Sequence, residues 1–148
     1  PLYLDTWDGY PWARERLFDL CESVDVRDLF VLTGDSHSFW ANSIARANGT
    51  VMGVEIGTAG VTSPGDFVEQ GFDQAAAQRL DTLIAQHNEG VNWTDNLHQG
   101  YVRVGLSPTH ADVDYVAVST VTEPAFTTSV VRQERVEAVE GSIGFTQR

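Results

Sequence analysis

Apolar positions recur along this chain with two different periods. In PWARERLFDLCESV, residues Ala13, Leu17, Leu20, Cys21 and Val24 fall at helical spacing and predict a helix with one apolar face. Pro11 suits its first turn. In DLFVLTGD the run Leu29–Leu32 is continuously apolar and stops at Gly34, which predicts a short strand buried on both faces. Asn48-Gly49 then lies between two β-compatible runs in SIARANGTVMGVEIGT, a hairpin signal. AGVTSPGDF reads as a loop. FDQAAAQRLDTLIAQHN predicts a second helix with Ala76, Leu80, Leu83, Ile84 and His87 on one side. EGVNWTDNLHQG is polar and predicts irregular structure. YVRVGLSP and DVDYVAVSTV predict two strands joined by a turn at Pro108–Ala111, and the valines of TTSVVRQERVEAVEGS predict another. No repeat, low-complexity tract or linker-like shift interrupts the pattern, so residues 1–148 are expected to form a single domain of the α+β class, largely antiparallel, with two main helices.

Composition narrows the reading. Of the 148 residues, 42% are hydrophobic and 20% charged, ordinary values for a globular chain able to bury a core. No apolar run is long enough for a membrane helix, and no signal peptide is visible. The net charge of −12 repels nucleic-acid backbones and anionic membranes, so neither is expected as a partner. Cys21 is the only cysteine, which excludes an intrachain disulfide. The sequence opens on Pro1 rather than methionine and is expected to be a piece of a larger enzyme.

The candidate chemistry lies in VLTGDSHSFWAN, where an apolar strand gives way to Gly34, Asp35, Ser36 and His37. Three readings fit. The tetrapeptide is a polar turn. Or Ser36 is a nucleophile, because Gly-Asp-Ser resembles the first block of the GDSL esterases and Asp95-x-x-His98 has the spacing of their Asp and His pair. The Asn-Gly hairpin that follows, and the lack of a Gly-x-Asn-Asp block, depart from that family. Or Asp35 and His37 are metal ligands. Carboxylate oxygen suits a hard cation and imidazole a transition metal, so the pair fits a site of two unlike metals, although two ligands do not complete one.

The ordered landmarks DTWDGYPWARERL, VLTGDSHSFWAN, VGVEIGTAGVTSPG and HQGYVRVGLSP resemble those of PhoD-type alkaline phosphatases, from about Asp5 to Val121. The resemblance implies the C-terminal portion of a metallophosphoesterase αββα sandwich, with helices outside two facing sheets. It implies metal-dependent hydrolysis of a small phosphoester, iron (Fe3+) and calcium (Ca2+) in the complete enzyme, and export to the periplasm or outside the cell. Within the family's Gly-Asp-x-His motif, Asp35 would serve a calcium and His37 the iron, and Ser36 would fall at the variable position. Trp7, Asp8 and Tyr10 match the family's Trp-Asp-Gly-Tyr and are expected near the substrate, as is Asn42. His98, before the Gly-Tyr landmark, is expected to support the ligands from behind. Gln99 stands where many relatives have arginine, and the family's upstream ligands have no counterpart here. The chain by itself is therefore expected to be inactive, and sheet edges that the missing part would pair are expected to favour self-association. A β-rich binding or assembly module without catalysis is the remaining alternative.

Other residues carry weaker expectations. His87 reads as a packed or capping histidine, and His110 as a solvated turn residue. Glu55, alternating within a strand, is either paired or solvent-facing. Tyr101 reads as core or pocket wall, and Thr62-Ser63-Pro64 as a turn or cleft lining.

Overall fold

The computed structural model describes residues 6–139 and 141–146. After a 3-10 turn at Trp7–Gly9 the elements are α1 (Pro11–Ser23), β1 (Leu29–Thr33), β2 (Phe39–Ala45), β3 (Val51–Gly57), α2 (Asp66–Glu69), α3 (Gln74–His87), β4 (Val91–Asp95), β5 (Gly100–Leu106), β6 (His110–Val118), β7 (Thr128–Val139) and β8 (Ser142–Thr146). They form two four-stranded sheets, ordered β1-β3-β2-β4 and β5-β6-β7-β8. Every pairing is antiparallel except β1 with β3. The α+β class and its antiparallel character are thus as the sequence predicts.

The two sheets share one core. Phe39, Ala41, Val54 and Ile56 of the first meet Ala111, Val113, Tyr115 and Val136 of the second. Side chains alternate across a strand, so these residues mark the inner faces. Tyr115 ties the layers. Its ring packs edge-on against Phe39 and Trp93, with centroids 5.6 and 4.8 Å away. Its hydroxyl donates to the Trp40 carbonyl oxygen at 2.9 Å, and burial pushes its pKa well above the ordinary value of 10.

The Asn-Gly turn forms as predicted, with Gly49 at φ +85° between β2 and β3. The helix faces differ from expectation. In α1 the buried residues are Phe18 and Cys21, while Ala13, Leu20 and Val24 are exposed. Arg46, just after β2, lies against the face that is buried. Its guanidinium lies over the Phe18 ring, bonds Glu15 and Asp19 at 2.8 and 3.0 Å, and pairs with Glu22 at 2.9 Å. In α3, Ala77 is buried and Leu83 and His87 are exposed. The Asp73 side chain caps α3 by accepting from the Ala76 N–H at 2.7 Å.

Three further expectations are corrected. β1 is not buried on both faces: among the described residues it is a sheet edge, and Leu32 is 64% exposed. The stretch read as irregular contains β4, because Trp93 packs on the aromatic core and Thr94 and Asp95 are buried against β2. His110 belongs to β6 rather than to the turn, with Ser107 Oγ 2.9 Å from its Nδ1.

Candidate functional site

The pairing registers bring several loops to one end of the first sheet. Parallel β1 and β3 finish side by side at Thr33 and Gly57. Antiparallel β2 starts there, with Trp40 opposite Gly57, and β4 finishes there, with Asp95 opposite Phe39. Loop 34–38, loop 58–65 and turn 96–99 therefore share that end. Backbone bonds knit them to the second sheet: Gly100 N–H donates to Gly60 O at 3.0 Å, and Val118 N–H to Gln99 O at 2.8 Å. Gly65 lies buried between the other two segments. A Cβ there would sit 2.6 Å from Gln99 Nε2, 3.1 Å from Asn96 O and 3.5 Å from His37 O, so this position accepts only glycine without displacement.

Loop 34–38 is held in an unfavourable backbone conformation. Asp35 has φ +70° and His37 φ +54°. Ser36 N–H donates to Gly34 O at 2.8 Å, so Asp35 is the centre of a three-residue turn with positive φ, a rare and strained arrangement. Asp and His tolerate the left-handed region better than most residues, yet it still costs about 1 kcal/mol. Asp25 also has φ +58°, but it directly follows the capping residue of α1, where such a conformation ends helices. Asp35 is exposed and His37 half-buried. Ser36 is exposed between them, and its hydroxyl accepts from Trp40 Nε1 at 2.8 Å.

Turn 96–99 carries a second polar group. Asp95 Oδ1 accepts from the N–H groups of Leu97 and His98, both at 2.9 Å, and Oδ2 lies 2.7 Å from His98 Nδ1. Burial raises the Asp95 pKa, but the His98 ring and the two N–H donors outweigh it and hold the carboxyl below its ordinary value. The same contact raises His98, against its own partial burial. Asp81 on α3 faces the same turn, and burial lifts its carboxyl above the usual range despite the two bonds from Asn96.

The expected site residues separate into groups. Asp35, His37 and His98 lie on the converging loops. Asn42 lies within β2 and donates to Glu55 Oε2 at 3.0 Å, while Thr33 Oγ1 donates to Glu55 Oε1 at 2.8 Å. Glu55 is thus paired across three strands. Asp8 binds Arg14 at 2.6 Å, and Trp7 and Tyr10 are exposed beside α1. The anchors of α1 run to Arg46, at the opposite end of β2 from Asp35 and His37. Ser38, Asp81 and Asn96 are additions that no sequence signal marked; their contacts join residues up to 58 positions apart. Among the described residues, no group of three or more His, Cys, Asp or Glu side chains could hold a metal ion.

The fold and these loops define a strand-rich α+β protein with a polar site at one end of its strands. The comparisons place it more narrowly: the pattern of "PhoD: PhoD-like phosphatase" matches residues 1–115, and the chain belongs to that family. It is 32% identical over 130 residues to alkaline phosphatase D of Bacillus subtilis (strain 168), an alignment that covers 84% of this chain and 21% of that protein. The solved structure titled "Structure of PhoD" matches with a TM-score of 0.73 and 25% identity, over 97% of this chain and 27% of that one. The chain thus spans about a fifth of the length of the curated relative it matches (21%). Among the described residues no helix is long and apolar enough to cross a membrane.

Proposed function

We propose that this chain forms the C-terminal portion of a PhoD-like, metal-dependent phosphoester hydrolase and contributes Asp35 and His37 to its metal centre. The observation that carries this reading is the strained loop 34–38. Two left-handed non-glycine residues at the end of a strand cost stability, and such strain gathers at functional sites. The family membership supplies the reaction class. Asp35 offers hard carboxylate oxygen suited to Ca2+, and His37 an imidazole suited to Fe3+. Bound cations would neutralise phosphate charge and lower the pKa of water, the two needs of phosphoryl transfer. The chain's own residues hold the donors: the γ-turn fixes Asp35, and Trp40 steadies Ser36 beside it. His98 supports the loops from behind, and Trp7, Asp8 and Tyr10 serve the substrate side. Asn42 acts through Glu55. The facing sheets form part of an αββα sandwich. The substrate is a small phosphoester, and the enzyme is exported.

Two donors do not make a shell, so the 148 residues alone are inactive. The edge of β1, which no described strand pairs, is where copies of the chain self-associate. Neither the serine-esterase nor the binding-module reading gains support from the family assignment. The test is Asp35→Asn and His37→Ala in the full-length protein, with metal content measured beside hydrolysis of a phosphomonoester and a phosphodiester. Activity should fall about a hundredfold or more, with metal lost. Near-normal turnover with full metal in both variants overturns the proposal.

A further inference from the structure

We infer that Asn96 is a positioning residue for loop 34–38, holding its Ser38–Phe39 leg through a one-directional chain of buried hydrogen bonds anchored at Asp81 on α3. This inference rests on the proposed role of Asp35 and His37 for its functional meaning, though not for its geometry.

The chain has a forced polarity. A carboxylate only accepts, so the Asn96 amide must turn its Nδ2 toward Asp81, to whose Oδ1 it donates. That leaves Oδ1 of Asn96 facing Ser38, whose hydroxyl donates to it at 2.6 Å. The second Nδ2 hydrogen goes to Thr94 Oγ1 at 3.1 Å, and Thr94 passes its own hydrogen to the Phe39 carbonyl oxygen at 3.0 Å. One amide therefore grips two consecutive residues. It holds Ser38 by its side chain, and Phe39 by its backbone through Thr94. Ser38, Thr94 and Asn96 are 2%, 2% and 6% exposed, so water offers little substitute.

The leg that is gripped begins directly after His37, whose φ of +54° requires external support. Ser38 has a weaker alternative, the Ser36 carbonyl oxygen at 3.2 Å. Adopting it would tighten the loop on itself and release it from the 96–99 turn. The Asn96 carbonyl oxygen also faces Gly65, beside the His37 carbonyl oxygen, so the same residue borders the second loop at this end.

The polarity makes the inference testable by a swap. Asn96→Asp faces Asp81 with a second acceptor and breaks the chain. Asp81→Asn together with Asn96→Asp restores a donor between them, and the carboxylate introduced at position 96 can still accept from Ser38, so the Ser38 arm is rebuilt while the donor to Thr94 stays lost. In the metal-stripped full-length protein, hydrogen exchange across residues 36–39 should rise about tenfold in Asn96→Asp and return toward the parent in the double variant. Calcium affinity, titrated with CaCl2 alone, should fall about tenfold to a hundredfold and recover in parallel. Ser38→Ala removes the direct bond from the loop to Asn96, leaves the Thr94–Phe39 arm in place, and should raise exchange across 36–38 with α3 unaffected. It serves if Asn96→Asp does not fold. Leu83→Ala, exposed on α3, should change neither readout. Parent-like exchange at 36–39 in Asn96→Asp and Ser38→Ala overturns the inference, as does a double variant no better than Asn96→Asp. If Asp35→Asn and His37→Ala leave calcium affinity intact while Asn96→Asp still loosens 36–39, the metal reading falls and the positioning role stands.

Discussion

Replacing His98 with alanine should destabilise the chain more at mildly acidic pH than at alkaline pH, where the neutral ring keeps only its Nδ1–H bond to Asp95. His98 Nδ1 lies 2.7 Å from Asp95 Oδ2. Hydrogen bonding to Asp95 raises the His98 pKa above its ordinary 6.5, against partial burial and with help from the charges of Asp95 and Asp81. Burial works to raise Asp95, but its bonds to the His98 ring and to the His98 and Leu97 N–H groups prevail, and it falls below its ordinary 3.8. A histidine raised by folding contributes stability that is fully present below its unfolded value and lost as pH climbs through the folded one. A carboxylate lowered by folding contributes stability that is present above its unfolded value and lost as pH drops through the folded one. The pair therefore contributes most between the two ordinary values, 3.8 and 6.5. The His98 side chain is 40% exposed, so screening reduces the ion pair to about 0.5–1 kcal/mol. Asp95→Ala goes further, because it also strands two N–H donors at about 1–3 kcal/mol. Asn at 95 can still accept both and should fall between. Urea unfolding followed by tryptophan fluorescence, at about pH 5.5 and about pH 9, measures each loss. A His98→Ala deficit equal at both pH values, or larger at the alkaline one, refutes the ion-pair reasoning.

Asp35→Gly should raise the melting temperature by the few degrees that about 0.5–1 kcal/mol represents, because glycine adopts φ +70° without strain, while phosphoester hydrolysis by the full-length protein is lost. Arg46→Met should leave Glu15, Asp19 and Glu22 facing one another without their cation, so proteolysis or hydrogen exchange across residues 11–23 should accelerate while β6 and β7 stay protected. Tyr115→Phe removes the donor to Trp40 O and should cost about 1 kcal/mol in chemical denaturation, whereas Tyr115→Ala should cost about 3–5 kcal/mol through the cavity left beside Phe39 and Trp93.

Local periodicity made part of the fold legible before any coordinates. The Asn48-Gly49 turn, both main helices, and the strands around Val104, Val116 and Val136 follow from spacing alone, because each depends on neighbours within a few residues. What misled was context. Leu29–Leu32 has the composition of an interior parallel strand, and β1 does pair in parallel with β3, yet among the described residues no strand pairs with its other side. Val91–Asp95 has only two apolar residues, Val91 and Trp93, within a polar stretch, and it becomes a strand because Trp93 finds Phe39 and Tyr115, far along the chain. The buried face of α1 meets Arg46, 28 residues past Phe18, in a cation–ring contact that helical spacing cannot encode.

The same division runs through the candidate site. Asp35 and His37 were legible because a carboxylate and an imidazole where an apolar run halts are conspicuous in one dimension. What holds them was not. Ser38 looks like one more polar loop residue, Asn96 like part of a polar stretch, and Asp81 like a solvated helix position. Each acquires meaning only when β4 pairs with β2 and sets the 96–99 turn against the 34–38 loop. The physical reason is directional. A strained loop needs a partner outside itself, because bonds within it, such as Ser36 N–H to Gly34 O, are part of the strain. Much of the support for this loop therefore comes from distant sequence, through Asn96 and Asp81, and a reading of neighbouring residues finds the candidate ligands while missing the side chains that brace their loop.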